Sequence, residues 1–520
     1  MSAGSVIARA TVVIAVINLL SRVLGFIREA VIAQQFGATG VTDAFYVAYT
    51  IPYVLQAILG MALATVVVPI FSEYVSRGQR KEAWDLFGTV TNLTAIAFTV
   101  LTILGIFATP VLVKLLAPGL DAETAALAQE LTRIMFPMLI FMGIATLFNG
   151  LLNANNIFGI PAFSIVAANI VVIISTLTLG DFIGVYGLAI GTVLGMVVAA
   201  LIQLPSLLKS GFRYRFSFDW GNSDVRKVMS LMLPVALGVS VNQVYIIIDR
   251  MLASGMVEGS IAALNFSNRL ILLPIGLFVM AVGTAFYPTL TRQAVDPSAG
   301  DMGATLRRTF RMVVMMSVPA AVGLIVLRYP IIQLLFERGE FDARATEMTA
   351  YALLFFSIGL VGQAANVILT RGFYALQDTR TPVKLTLVTI VINLVFSLIL
   401  MGPLKHGGLA LANSIAALTN TALLSWYLSK RVSNIWNMKM VRFTAQVLLA
   451  SGIMAVVTYY VDGYAQALFA GYGTLGLAAQ VGISVSAGAG VYLLAALLLR
   501  MEELFIFIDY GKRFLASRRR

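Results

Sequence analysis

The sequence predicts an all-α polytopic membrane protein with fourteen transmembrane helices. They form two parallel six-helix lobes around a central cavity, plus two extra C-terminal helices. Three observations carry this. The 520 residues are 59% apolar and only 12% charged, against ~25% charged in an ordinary soluble domain, and mean hydropathy is +0.91. The apolar residues lie in long unbroken runs rather than in alternation, and in lipid that pattern means helices, not a barrel. Several residues recur at an offset close to 220, which marks an internal repeat.

Fourteen apolar runs fall near 8–34, 43–74, 83–109, 125–153, 159–179, 183–208, 227–254, 261–291, 309–328, 345–371, 383–402, 407–429, 443–462 and 472–499. Each is near or above the ~20 residues that cross a bilayer at 1.5 Å per residue. The first run starts near Ala8 and passes Ile17 without an A-x-A-like exit, so it reads as a retained helix and not a cleaved leader. The second and eighth runs hold Pro52 and Pro274, which should bend them by removing a backbone donor. Only Gly180-Asp181 separates the fifth and sixth runs, and only Pro403 to His406 the eleventh and twelfth.

Charge orients these spans. Lys and Arg in the loops after even-numbered spans, with Arg9 and the C-terminal tail, number 26. Those after odd-numbered spans are Lys114, Arg328, Arg338, Arg344 and Lys405. The positive-inside rule therefore puts both termini in the cytoplasm, which agrees with an even span count. Net charge is +12. In a soluble chain that would suggest nucleic-acid binding; here the excess sits in short loops and no nucleic-acid partner is expected.

The repeat runs in order. Pro69 matches Pro288, Pro110 matches Pro330, Gly119 matches Gly339, Ala154 matches Ala375 and Pro161 matches Pro382. Six spans separate the copies, an even number, so the two halves are parallel repeats. The expected divisions are an N-lobe at 1–215, a C-lobe at 216–432, two added helices at 433–500 and a basic tail at 501–520, its Arg518–Arg520 run near anionic headgroups.

Chemistry is bounded by what is missing. There is no cysteine and a single histidine, His406, so thiolate sites and multi-histidine metal sites are excluded. There is no P-loop, no HExxH and no G-x-S-x-G, and no loop long enough for a soluble domain. The chain reads as no enzyme, with no catalytic residues and no organic cofactor. Two lobes around a cavity are the architecture of an alternating-access transporter.

Charges inside spans need a reason, because each costs ~2.5–3.5 kcal/mol at mid-bilayer. Span one carries Arg22, Arg28 and Glu29, span seven Asp249-Arg250, and span eight Arg269, while Asp43 opens span two. One reading is lobe-stabilising ion pairs or snorkelling side chains. The other is a cationic cavity, with Arg22, Arg28 and Arg269 facing one another across a cleft. Planar guanidinium forks suit a phosphate or diphosphate. Arg133 reads as interfacial, and Asn149, Asn153, Asn155 and Asn156 as helix-capping residues.

The stretch NLLSRVLGFIREAVIAQQFGATGVTDAFYVAYTIP (18–52) resembles the start of the MurJ (MviN) lipid II flippases, of the multidrug/oligosaccharidyl-lipid/polysaccharide exporter superfamily. The span count, the two lobes and the extra helix pair extend the likeness over essentially the whole chain. The resemblance implies a carrier that moves an undecaprenyl-pyrophosphate-linked peptidoglycan precursor to the outer leaflet of a bacterial cell membrane. It implies that Arg22, Arg28, Glu29, Asp43 and Arg269 match the family's substrate-site residues, and that spans thirteen and fourteen form a groove for the lipid tail. Some relatives bind Na⁺ between second-lobe helices, which makes Asp249, Asn393, Ser397 and Asn413 the candidates here, but one carboxylate is thin chemistry for a hard cation and polar interhelical packing is the preferred reading. The chain departs from the family pattern at Gln56, Ala57 and Asn268, where arginines or an aspartate are frequent. Those departures leave open a carrier of another undecaprenyl-linked glycan. A cation or drug antiporter would sooner be lined with carboxylates, and a scaffold recruiting cell-wall synthases is the non-transporting alternative.

Overall fold

The computed structural model describes residues 3–212, 214, 223–433 and 435–504, with side chains from Val16 onward except those of Asn242 and Pro297. The side chains of Arg9, Arg213 and Arg215, the boundary expected at 215/216, and the expected tail from residue 505 with Arg518–Arg520 lie outside these residues. The described residues form seventeen α-helices and no strand. They divide into two compact units, one of Met1–Ala262 with Arg338–Asp342, the other of Ala263–Glu337 with Ala343–Arg520.

The first unit holds α1 (Ala3–Phe36), α2 (Gly40–Ser76), α3 (Arg80–Leu116), α4 (Ala122–Met135), α5 (Met138–Ala154), α6 (Gly159–Ile183), α7 (Val185–Leu201), α8 (Leu204–Lys209) and α9 (Ser223–Ala253). Helix α2 runs unbroken through Pro52 and Pro69. α4 and α5 make one expected span, bent by 47° around Phe136-Pro137, where proline removes a donor. The break between α6 and α7 falls at Gly184, not at Gly180-Asp181 as the sequence suggested. Gly184 takes φ 60°, ψ −141°, a conformation open to glycine and strained for other residues. Phe71, Trp84, Phe87, Phe148 and Phe212 form an aromatic core, with Phe71–Trp84 centroids at 4.8 Å and Phe87–Phe212 at 5.2 Å. Such edge-on pairs are worth roughly 0.5–1.5 kcal/mol each beyond area burial.

The second unit holds α10 (Ser260–Pro274) from Ala263 on, a π-helical turn (Ile275–Val279), α11 (Met280–Val295), α12 (Met302–Val326), α13 (Arg328–Phe336), α14 (Ala343–Ala375), α15 (Arg380–Ser429), α16 (Met438–Phe469) and α17 (Gly473–Leu498). Pro274 does not end its helix; the chain continues through the π turn into α11. α15 spans fifty residues with a kink at Lys405, φ 50° and ψ −135°. One core joins α12 to α16 and α17 through Val314, Val318, Phe443, Val447 and Tyr492. The Tyr492 hydroxyl donates to Met315 O at 2.8 Å.

Among the described residues ten helices are long and apolar enough to cross a membrane, or up to twelve when each bent pair is taken as one span. α15 counts once there, yet it holds the eleventh and twelfth expected spans as two helices that meet at the Lys405 kink.

The repeat is written in the backbone more plainly than in the side chains. Gly184 and Lys405, 221 residues apart, share one unusual conformation. Asn156 (φ 60°) and Gln377 (φ 59°) share a positive φ at the same offset. Gly187 packs on the backbone of Leu179 as Gly408 packs on that of Leu400, again 221 residues on. Backbone geometry persists where sequence drifts because the short turn between two antiparallel helices leaves few allowed shapes.

Candidate functional site

The charges of span one lie in the first unit on α1. Arg22 is exposed, Arg28 half-buried and Glu29 fully buried. Arg22 and Glu29 lie two turns apart on one stripe yet differ in depth, while Arg28 and Glu29, adjacent in the chain, point about 100° apart. Arg28 and Glu29 nevertheless pair: Arg28 Nη2 donates to Glu29 Oε1 at 2.6 Å. Arg28 Nη1 donates to Asn169 Oδ1 on α6 at 3.2 Å, and the Tyr46 hydroxyl on α2 donates to Glu29 Oε2 at 2.6 Å. Arg250 lies over the Tyr46 ring, 5.6 Å from its centroid. The buried carboxylate thus has a cation on one oxygen and a phenol on the other, which is what keeps an ion tolerable at this depth.

Asp43 does different work. It is buried in the first turn of α2, where its Oδ2 accepts from Gly259 N at 2.8 Å and its Oδ1 from Ala262 N at 2.7 Å. Both are unpaired amides at the start of α10. In return Glu258 Oε1 accepts from Gly40 N, at the start of α2, at 2.7 Å. Each helix start is therefore capped by a carboxylate from the other, where the helix dipole favours negative charge. Beside this pair, Glu340 N donates to Gln34 O at 2.9 Å and Gly119 N to Ser254 Oγ at 3.1 Å. Four connections of the first unit, after α1, α3 and α9 and at 338–342, are stitched together at one end. Glycine is required there: Gly37, Gly259 and Gly339 all take positive φ, and each packs against a neighbouring carbonyl.

Arg269 lies in the second unit, half-buried on α10. Its neighbours fix the helix. Ser267 Oγ donates to Thr349 O at 2.7 Å, and the Phe266 and Phe336 rings meet at 5.4 Å. Gln56 and Ala57 are both buried, and Gln56 Nε2 donates to Thr146 Oγ1 at 2.8 Å. The candidate Na⁺ ligands divide between the units. Asp249, in the first, has a buried Oδ1 without a hydrogen-bond partner. In the second, Asn393 and Ser397 are buried, the Ser397 Oγ is also without a partner, and Asn413 Oδ1 accepts from Gln363 Nε2 at 3.5 Å.

Three groups at these sites escaped sequence reasoning: Tyr46, Asn169 and Glu258. The first two are ordinary polar residues in apolar runs, made important by contacts 17 and 141 residues away in the chain. Glu258 had a faint signal, an acid just before a Gly-Ser helix start. His406, by contrast, is buried in the fold, with Nε2 2.9 Å from Met348 O and its ring against Tyr351. Asn155 ends α5 with its side-chain amide on Leu151 O at 2.9 Å, a capping role, and Arg133 is exposed on α4.

A family model described as lipid II flippase MurJ matches residues 32–478. The probable lipid II flippase MurJ of Vibrio cholerae serotype O1 is 32% identical over 506 residues, covering 94% of this chain and 96% of the relative. That of Haemophilus influenzae is 34% identical over 463 residues, covering 85% and 91%. The lipid II flippase MurJ of Burkholderia cenocepacia is 33% identical over 459 residues, covering 86% and 89%. Among solved structures, a lipid II flippase MurJ in an inward closed conformation aligns with a TM-score of 0.80 at 26% identity, over 94% of this chain and 99% of that one. An inward-facing multidrug resistance transporter of the MATE family, in the MOP superfamily, aligns at 0.65 with 18% identity over 82% and 98%, a likeness of fold alone.

Proposed function

We infer, because this chain belongs to the lipid II flippase MurJ family, that it carries lipid II, a lipid-linked peptidoglycan precursor, across the membrane. It is a transporter and not an enzyme: the cargo changes leaflet and no covalent bond changes. The observation that carries this is the family match over residues 32–478.

Arg22 and Arg28, on α1, are the proposed diphosphate ligands of the first unit, Arg269, on α10, is that of the second, and the isoprenoid tail stays in lipid along α16 and α17. A guanidinium fork matches paired phosphate oxygens and is less strongly hydrated than an ammonium, so it gives up water to a lipid headgroup more readily. Glu29 acts behind Arg28. Its 2.6 Å ion pair and the Asn169 bond hold the guanidinium in one orientation, and its charge compensates Arg28 when no cargo is bound. Asp43 contributes by fastening α2 to the start of α10, and alternating access would require that fastening to release and re-form.

The termini face the cytoplasm, as the Lys and Arg distribution argues. A sodium ion is the proposed coupling ion. In the second unit Asn393, Ser397 and Asn413 would supply three neutral oxygens, which suit a hard monovalent cation, and Asp249 is the carboxylate candidate of the first unit. The partnerless Asp249 and Ser397 oxygens support that assignment. Division into two lobes, an added helix pair and a basic tail is kept as the working organisation, and cell-wall synthases are the proposed protein partners.

The test is reconstitution of the full chain in proteoliposomes with fluorescent lipid II. Loss of inner-leaflet label at a rate that depends on the protein supports the reading. Flipping of labelled phospholipid at the same rate as lipid II would refute it.

A further inference from the structure

Arg371 is a cation that the mechanism above leaves unused. It ends the expected run 345–371 and lies inside α14, four residues before the helix ends at Ala375. Its guanidinium rests against α11 in the same unit. Nη1 is 3.4 Å from Thr284 Oγ1 and Nη2 is 3.8 Å from Met280 Sδ. Gly283 makes the room, since a Cβ there would lie 2.6 Å from Nη1 and 2.9 Å from Cζ. A hydroxyl and a thioether are weak neutral acceptors. Among the described residues no carboxylate lies within ion-pair distance of Arg371.

A guanidinium held in a membrane helix against a purpose-made gap, with no acid to neutralise it, is placed for an anion that arrives. The helix it faces is the continuation of the one that carries Arg269. Met280 and Thr284 follow Arg269 by eleven and fifteen residues, roughly 16–22 Å along the axis, with the π turn between them. The second unit thus presents two arginines at two depths along one helical line. The first unit has no counterpart: Gly150 occupies the position 221 residues before Arg371, and Gln56 is turned onto Thr146.

We propose that Arg371, seated by Gly283 and Thr284, is a second diphosphate-binding residue, which takes the substrate's diphosphate near the C-terminal end of α14 before Arg269 does. This rests on the reading of the cargo as a lipid-linked diphosphate.

The full chain in neutral-lipid nanodiscs is titrated with undecaprenyl diphosphate and with undecaprenol. Wild type prefers the diphosphate. Arg371→Gln weakens diphosphate binding about tenfold, the scale of a lost charge-assisted fork, and leaves undecaprenol binding unchanged. Gly283→Ala, which displaces the guanidinium without removing it, weakens it in the same direction, and Arg371→Lys recovers part. Thermal unfolding verifies that each variant is folded. Wild-type diphosphate affinity in folded Arg371→Gln overturns the proposal. So does a loss that disappears when anionic phospholipid is added, because the site would then belong to bulk headgroups. A wild type that fails to distinguish diphosphate from alcohol overturns the lipid-diphosphate reading itself, a separate outcome.

Discussion

Asp43 and Glu258 cap each other's helices. Asp43, in the first turn of α2, holds the amides of Gly259 and Ala262, while Glu258, just before α10, holds the amide of Gly40. Two helix starts are joined by three charge-assisted bonds of 2.7–2.8 Å, a fastening that is directional and releasable.

Asp43→Asn keeps the shape but loses the charge that favours two helix amides. It should weaken this end of the first unit by about 1–3 kcal/mol. Amide hydrogen exchange at 259–262 should rise in the variant, with exchange in the Phe71–Trp84 core unchanged. Because the chain has no cysteine, a cysteine pair placed at 40 and 258 gives a clean second readout. It should cross-link readily in wild type and more slowly with Asp43→Asn.

Arg28→Ala removes the guanidinium paired with Glu29 Oε1 and leaves that buried carboxylate without its cation. Breaking a buried pair from one side costs about 3–5 kcal/mol, so this variant should be markedly less stable in detergent. Adding Glu29→Ala should restore most of the stability, since the carboxylate that lost its cation is then gone as well. It should not restore lipid II flipping, because the diphosphate ligand is still absent. Stability and transport that recover together would show Arg28 to be structural.

Lys405 occupies the backbone shape that Gly184 occupies in the first repeat. Lys405→Gly should stabilise the chain by about 1 kcal/mol by relieving that strain, and Gly184→Ala should destabilise it by a similar amount. Thermal midpoints of the two variants would move in opposite directions.

Glu503 follows α17 and is 2% exposed; its Oε1 lies 2.7 Å from Arg311 Nε, and the Arg311 guanidinium sits 4.4 Å over the Phe443 ring. Burial pushes the Glu503 carboxyl above its ordinary range, and the backbone hydrogen bond and Arg311 offset this only in part. A carboxyl raised in the folded state binds more protons there than in the unfolded chain. Its contribution is therefore full below the ordinary carboxyl range and declines as pH rises through the folded value. The thermal midpoint should carry this decline in wild type and lose it in Glu503→Gln.

The spans were legible because lipid imposes long apolar runs, and each expected run coincides with a helix. Where one run passes into the next, composition carries less. Gly180-Asp181 looks like the break, yet the chain turns at Gly184, because the turn needs a backbone shape and not a polar residue. Arg371 reads as a cation at the end of a run, while the gap at Gly283 that seats it is a tertiary feature. The cations of span one were visible, since a charge in a run of apolar residues stands out. Their partners Tyr46 and Asn169 were not, because a lone Tyr or Asn in a membrane helix looks the same whether or not it touches an ion. Asp43 was visible as an acid at a helix start, but its partner amides lie 216 and 219 residues away, beyond any local pattern.

The most direct test of lipid II transport through the arginine site is growth of a bacterium depleted of its own lipid II flippase, with this chain supplied at matched membrane levels. Wild type should sustain growth, while folded Arg28→Ala/Glu29→Ala should end in lysis with lipid II retained on the inner leaflet. Lysis with well-expressed wild type would contradict lipid II as the cargo, and normal growth with the double variant would contradict the arginine site.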